Sequence, residues 1–202
     1  MKLLLTGFEP FGDSDINPSA QIVARLGREG IAGVELVTAV LPVDRHRGPT
    51  QLIQAVQDHA PGAVLCLGLA DNRPTIAIER VAINLLDFGI TDNDGNQIVD
   101  EPIVADGPAA YFTTLPTRAM HDAALAAGVP IQLSLSAGAF LCNQVTFALL
   151  HHLATASLAI PACFVHVPYL PEQVAGKKSS LPSMSLATIC VGITAVIQAI
   201  NN

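Results

Sequence analysis

The chain has 202 residues, of which half are hydrophobic and only 13% are charged, and its formal net charge is −7. An acidic chain is a poor partner for nucleic acid and for anionic membranes, and no apolar run reaches the ~20 residues of a membrane-spanning helix. The length suits one domain with a substantial core, and no linker or low-complexity block divides it. We therefore expect a single domain over residues 1–202. We expect it to bind neither nucleic acid nor membranes.

Segments with strand and helix patterns alternate along the chain. The segment over 85–108 carries strong turn signals and predicts a loop region with a lid or a hairpin. The alternation predicts an α/β fold, a three-layer sandwich with a largely parallel, mixed central sheet and helices on both faces. In chain order we predict a strand over 2–6, a helix over 17–26, a strand over 34–43, a helix over 50–59, a strand over 63–69, an extended segment over 75–84, a helix over 116–127, a strand over 129–136, a helix over 144–153, a strand over 159–167 and a helix over 185–200.

Cys142 stands where a predicted strand gives way to a predicted helix. Backbone N–H groups and the positive end of a helix dipole favour thiolate over thiol, so this cysteine is the candidate nucleophile. The alternative is a space-filling cysteine, because free cysteine is among the most buried residue types. The other three cysteines, Cys66, Cys163 and Cys190, lie inside apolar segments, which predicts core positions for all of them.

The cysteines and histidines do not have the spacing of a metal site, so we expect no bound metal. The first residues carry no signal-peptide pattern, so we expect reduced thiols and a cytoplasmic protein. Few charges on a hydrophobic chain indicate apolar surface that another copy covers. We therefore expect a homo-oligomer, with the apolar C-terminal segment 186–200 and the loop region 85–108 as candidate contacts.

Two further residues are candidate partners for Cys142, because chemistry in open α/β sheets collects at the carboxyl ends of strands. His166 lies near the end of a predicted strand, and Glu79 lies in a predicted extended segment. An imidazole can take a thiol proton and later protonate a leaving amine, while a carboxylate orients the ring. The alternatives stay open at this point: a core histidine, and an ordinary ion pair of Glu79 with Arg80.

Four segments, in order along the chain, carry a more specific pattern: residues 7–12 with 17–19, residues 79–84, residues 136–143 and residues 164–173. Together they closely resemble the pyroglutamyl peptidase I family, whose members are also called pyrrolidone-carboxylate peptidases. The resemblance runs essentially from end to end of the chain. It implies a thiol protease that releases N-terminal pyroglutamate (5-oxoproline) from peptides and needs no metal or organic cofactor.

The resemblance also implies roles for individual residues. By analogy with the family, Cys142 is the nucleophile, His166 is the general base and acid, and Glu79 is the carboxylate that orients the ring. Stacked phenyl rings suit the flat, neutral lactam, whose amide edge backbone groups can bind. The family also points to homodimers or homotetramers. The implied substrate-binding residues are Phe8, Phe11, Leu69, Phe140 and Leu141.

The loop over 68–73 departs from the family's usual Gly-Gln-Ala-Gly-Gly-Arg. Leu69 replaces the glutamine, and Asp71 with Asn72 replaces a glycine pair, although Asp and Asn tolerate positive φ better than most residues. An alternative to an active exopeptidase is therefore a catalytically silent relative that binds a small lactam or a peptide terminus. A nucleoside-processing α/β protein is disfavoured, because no Gly-rich phosphate motif follows any strand.

Overall fold

The structure, a computed structural model, describes residues 1–177 and 180–201. Its elements follow the predicted order, and two short ones, β6 and α5, had no predicted counterpart. Strands β1 to β8 span Lys2–Phe8, Glu35–Leu41, Ala63–Leu69, Ile76–Glu79, Val81–Ile83, Ala110–Phe112, Ile131–Ser134 and Ala162–Val167. Helices α1 to α6 span Pro18–Glu29, Arg47–His59, Thr117–Ala126, Leu141–Thr155, Pro171–Val174 and Leu186–Asn201. None of the helices in the described ranges is long and apolar enough to cross a membrane.

Six strands form one mixed sheet in the order β2-β1-β3-β8-β4-β7. Neighbouring strands are parallel except for β4 and β8, which are antiparallel, and this confirms the predicted largely parallel sheet. Strands β5 and β6 form a separate antiparallel pair. The predicted extended segment 75–84 is therefore two strands. They part at Arg80, whose N–H donates to the Ser134 carbonyl and whose carbonyl accepts from the Thr113 N–H.

Apolar side chains on alternate strand positions fill two cores, one on each face of the sheet. Leu65 and Leu67 of β3 belong to the core under α1, α3 and α6, whereas Val64 and Cys66 belong to the core under α2 and α4. Each fully buried large aliphatic side chain contributes roughly 1.5–3 kcal/mol relative to an exposed one. The two cores make the sheet a rigid frame for side chains that project from its strands.

Helix α6 packs most of its apolar side chains within its own subunit. Ile189, Ile193, Val196 and Ile197 are fully buried, in the core that α6 shares with α1 and α3 of the same subunit. Only Val191 among its large aliphatic residues is strongly exposed. Its hydrophobicity therefore largely reflects intramolecular packing, and an intermolecular contact at α6 stays a prediction that Val191 would have to carry.

The loop region 85–108 folds back on itself. Leu86 and Glu101 form an antiparallel bridge, and the Phe88 N–H donates to the Ile98 carbonyl. Phe88 and Ile98 are buried in the core beneath α4. The region thus has the hairpin-like pairing that its turn signals predicted, without regular strands.

Candidate active site

His166 and Glu79 lie on adjacent strands and contact each other. His166 Nδ1 lies 2.8 Å from Glu79 Oε1, and both side chains are buried. Because β4 is antiparallel to β8, the Cα partner of His166 is Ala77, and Glu79 approaches the ring diagonally from two residues further along β4. The two side chains do meet, but across an antiparallel strand pair rather than at the carboxyl ends of parallel strands.

Arg73, which was not among the predicted site residues, bonds the same carboxylate oxygen. Its Nη1 lies 2.7 Å from Glu79 Oε1, and its Nη2 donates to the Ser136 carbonyl oxygen at 2.9 Å. Glu79 Oε2 is buried without a hydrogen-bond partner in the part of the chain that the structure describes. Charge-assisted hydrogen bonds of this kind are short and strong. Arg73 therefore links the Glu79 carboxylate to the segment that precedes Cys142. The sequence signal for it was the retained arginine at the end of the 68–73 loop.

Cys142 lies in the first turn of α4, which begins three residues earlier than predicted. Its thiol packs closely against β3 at Gly68. A Cβ atom on Gly68 would lie 2.9 Å from Cys142 Sγ and 2.6 Å from Phe164 Cζ, so only glycine leaves room for the thiol there. Gly68 is also the Cα partner of His166 across β3 and β8. The thiol is thus placed over the strand pair at the level of His166.

The surroundings of Cys142 oppose ionisation, contrary to the sequence-based expectation. Burial raises the pKa of the Cys142 thiol, and Glu79 and Cys66 raise it further. The backbone N–H of Cys142 and the Arg73 guanidinium lower the pKa only partly, so that it stands at about 12. Desolvation against the sheet therefore outweighs the field of the helix N-terminus.

The other three cysteines are buried, as predicted. Burial is the first cause that raises the pKa of each of these thiols, to about 12 for Cys66 and Cys163 and in the same direction for Cys190. Cys142 is only half-buried. Access, rather than a low pKa, distinguishes it from the other three.

Asn143 anchors the start of α4 and was also missed by the sequence analysis. Its side chain is almost fully buried; Oδ1 accepts from the Ile83 N–H, and Nδ2 donates to the carbonyls of Ile83 and Leu85. These bonds connect α4 to β5 and to the start of the loop region. They fix the helix turn in which Cys142 lies.

The structure brings the five predicted substrate-binding residues together with Cys142 around one pocket. Asn17 and Val43, which the sequence analysis did not select, complete it. The N-terminus of α1 positions this region, because Ser19 Oγ accepts from the Phe8 N–H and the Asn17 side chain caps the helix. The predicted residues that line the pocket are Phe8, Phe11, Leu69, Phe140 and Leu141.

The pocket is nearly closed. Its free volume is about 20 Å³, which is close to the space that one water molecule requires. Phe140 packs edge-on against Phe88 with ring centroids 4.6 Å apart, and Phe11 lies 6.4 Å from Phe140. A five-membered ring enters only if the half-buried side chains of Phe11 and Phe140 move apart.

The altered loop over 68–73 accommodates its substitutions. Asn72 adopts φ of 59°, the left-handed conformation that Asn tolerates better than most residues. Leu69 is half-buried and lines the pocket. The changes from the family's usual loop therefore leave Arg73 in contact with Glu79.

A thiol at a helix N-terminus, set on an α/β sheet beside a histidine that contacts a buried carboxylate, is typical of a cysteine hydrolase. The profile of the family described as pyroglutamyl peptidase matches residues 1–202. A pyrrolidone-carboxylate peptidase of Vibrio vulnificus is 49% identical over 192 residues, which cover 95% of this chain and 89% of that protein. The chain belongs to the pyroglutamyl peptidase family.

Solved structures agree with this assignment. The crystal structure of Bacillus amyloliquefaciens pyroglutamyl peptidase I has a TM-score of 0.93 at 37% identity and covers 99% of this chain and 96% of that one. The pyrrolidone carboxyl peptidase from Thermococcus litoralis has a TM-score of 0.94 at 39% identity, with 98% and 92% of the two chains covered. These comparisons confirm both the predicted fold class and the family resemblance.

Proposed function

We propose that residues 1–202 form one catalytic domain, an active cysteine exopeptidase that removes N-terminal pyroglutamate from peptides. The observation that supports this most strongly is the common location of three groups: the Cys142 thiol over Gly68, His166 on the adjacent strand, and Glu79 in contact with His166. Each group has a distinct chemical role in amide hydrolysis.

His166 moves the proton. Since Nδ1 faces Glu79, the other ring nitrogen, Nε2, takes the thiol proton as Cys142 Sγ attacks the pyroglutamyl carbonyl carbon. The tetrahedral intermediate then collapses, the C–N bond breaks, and Nε2–H protonates the leaving amine. Water attacks the thioester with His166 again as the base, and the products are pyroglutamic acid and the regenerated thiol.

The raised pKa of the Cys142 thiol favours a transfer of its proton during the attack rather than before it. A thiol with a pKa of about 12 is protonated at neutral pH. Proton transfer to His166 during the attack then generates the nucleophilic sulfur. The N–H groups in the first turn of α4, which have no intrahelical acceptor, stabilise the oxyanion that forms.

Arg73 holds the Glu79 carboxylate in place. Its guanidinium bonds the oxygen that also contacts His166 Nδ1. The same side chain bonds the Ser136 carbonyl, so that it holds the carboxylate and the segment before Cys142 in a fixed relation.

The pocket selects a neutral ring. Phe8, Phe11 and Phe140 offer apolar surfaces to the two faces of the lactam, which carries no charge. N-terminal glutamate or proline brings an ammonium group that loses its hydration there without gaining a partner. Proline also lacks the ring carbonyl, so hydrogen-bonding groups of the site stay unpaired.

We also propose a homo-oligomer, dimer or tetramer, in the cytoplasm. The four unpaired thiols suit a reducing compartment. Ile90 and Val99 in the loop region 85–108 are 51% and 68% exposed, which makes this region the candidate contact. Sedimentation at ~1 μM, a concentration at which stable interfaces persist, tests this proposal. A single 21.1 kDa species would contradict it.

Hydrolysis of pyroglutamyl p-nitroanilide tests the function. The wild-type protein releases nitroaniline, and Cys142→Ser, which keeps the size and shape of the side chain, does not. The altered loop over 68–73 motivates the alternative of a silent relative that binds a small lactam or a peptide terminus. Release by the wild type that does not exceed release by the variant would contradict the proposed activity.

A further inference from the structure

A second, larger cavity adjoins the lactam pocket. Its volume is about 400 Å³, and Phe11 and Leu69 line both cavities. We name this cavity the outer trough. Its other lining residues are Gly12, Asp13, Ser14, Tyr169, Gln173 and Lys177.

Sheet topology places the outer trough on the side from which the leaving group departs. His166 pairs with Gly68 and Val167 pairs with Leu69, after which the chain continues to Tyr169. Tyr169 therefore lies beyond His166, past the carboxyl edge of the sheet. Since His166 protonates the leaving amine, the departing chain starts beside this residue and extends past Leu69 toward Tyr169.

Hydrogen bonds fix the sides of the trough. The Gln173 side chain accepts from the Leu170 N–H and donates to Ser14 Oγ and the Ile16 carbonyl, so it joins α5 to the loop after β1. The Tyr169 carbonyl accepts from the Met184 N–H. The trough is therefore already formed in the free protein, unlike the lactam pocket.

The surface of the trough combines apolar and charged groups. Phe11, Leu69 and Tyr169 are half-buried, and the Lys177 ammonium lies 5.0 Å from the centroid of the Tyr169 ring. Burial, and then Asp71, raise the pKa of Tyr169, so that its ring stays neutral across the working range of pH. A flat apolar group can contact the ring and the two neighbouring side chains together.

We propose that the outer trough binds the residue that follows pyroglutamate, with a preference for an aromatic side chain that packs on Tyr169 and Leu69. The inference rests on the proposed function, because it takes the lactam pocket as the place of the first residue. It assigns to Tyr169 a role in specificity and none in the chemical steps.

The test compares three substrates: pyroglutamyl-phenylalanine amide, pyroglutamyl-glycine amide and pyroglutamyl amide, which has no second residue. In the wild type we expect kcat/KM for the phenylalanine substrate to exceed that for the glycine substrate by about 10-fold. Tyr169→Ala reduces this ratio below about 3-fold, whereas Tyr169→Phe, which keeps the ring, retains it. Neither variant changes the rate on pyroglutamyl amide.

Calorimetry on the Cys142→Ala protein measures binding of the two dipeptide amides without turnover. We expect the phenylalanine substrate to bind more tightly than the glycine substrate by a similar ratio. This separates the two proposals, since failure of hydrolysis contradicts the proposed function while the affinity ratio still decides the inference. An unchanged ratio in Tyr169→Ala would overturn it, as would an equal loss on all three substrates. A wild-type preference for pyroglutamyl-glutamate amide that disappears in Lys177→Gln would also overturn it, because it would make the trough a site for an acidic side chain.

Discussion

The catalytic cluster and the lactam pocket differ in how the fold builds them. His166 and Glu79 project from neighbouring strands of a sheet with a core on each face, and their contact follows from strand register. The lactam pocket lies between chain segments, with Phe11 in the loop after β1 and Phe140 at the N-cap of α4. The contact of His166 with Glu79 is therefore already made in the free protein, whereas the pocket has to open.

Because of this difference, substitutions in the cluster and in the pocket should affect different kinetic constants. A change in the cluster removes groups that act on the reacting atoms, so it lowers kcat. A change in the pocket alters binding of the ring, so it affects mainly KM. The four predictions that follow test this separation.

The largest effect is expected from His166→Ala, because it removes both the base and the acid. We expect kcat on pyroglutamyl p-nitroanilide to fall by about 10³-fold or more, with KM within about 3-fold of the wild type. Glu79→Gln keeps a hydrogen-bonding group beside the ring, so its loss in kcat is smaller, on the order of 10². A His166→Ala protein that folds normally and retains a tenth of the activity would show that His166 is not the base and acid of the reaction.

Alkylation by iodoacetamide tests access and ionisation together. Cys142 should react at least about 100-fold faster than the three buried cysteines, and its rate should rise about 10-fold for each pH unit from 7 to 10, because the thiolate fraction grows as pH approaches a pKa of about 12. Peptide mapping after timed quenching measures this. In Glu79→Gln the negative charge is gone, so alkylation at a given pH should be faster. A rate that levels off near neutral pH would instead indicate a resting thiolate.

Arg73→Met should lower kcat by about 10-fold to 100-fold, because Glu79 loses the cation that holds it. Arg73→Lys should recover part of this loss, since the charge returns but one ammonium cannot reproduce the planar fork that bonds both Glu79 and the Ser136 carbonyl. Steady-state kinetics over a range of pH give kcat and KM separately. A higher KM with an unchanged kcat would show that Arg73 supports the pocket and not the cluster.

The smallest effect is expected from Phe11→Ala, which removes one ring from the lactam pocket. We expect KM to rise about 10-fold while kcat stays within about 3-fold. Phe112→Ala is the matched control, because Phe112 is 73% exposed and does not line the pocket. Equal effects of the two substitutions, or a loss confined to kcat, would contradict the division between cluster and pocket.

The fold was largely predictable from the sequence because alternating apolar segments specify strands, helices and the two buried faces. The direction of β4 was not, since a short apolar run such as Ile76–Glu79 fits a parallel or an antiparallel neighbour equally well. The contact of Glu79 with His166 depends on that direction. The rule that functional groups meet at the carboxyl ends of parallel strands could therefore not predict this contact.

The pKa of Cys142 was also not predictable from the local sequence, because it depends on residues that are distant in the chain. The local sequence indicated a helix N-terminus, whose field lowers a thiol pKa, and the structure has that helix. The opposing cause is burial, and the strand against which the thiol packs, at Gly68, is distant in the chain. Arg73 was missed for a related reason: the retained arginine of the 68–73 loop marks the residue, but its partners Glu79 and Ser136 lie elsewhere in the chain.

The central claim is that Cys142, on the sheet beside His166 and Glu79, forms the covalent intermediate. The most direct test is mass spectrometry of the wild-type protein, acid-quenched during turnover of a pyroglutamyl amide and digested. The account predicts a pyroglutamyl thioester on the peptide that contains Cys142 and none on the peptides that contain Cys66, Cys163 or Cys190. Turnover without any acylated peptide, or acylation at another cysteine, would contradict it.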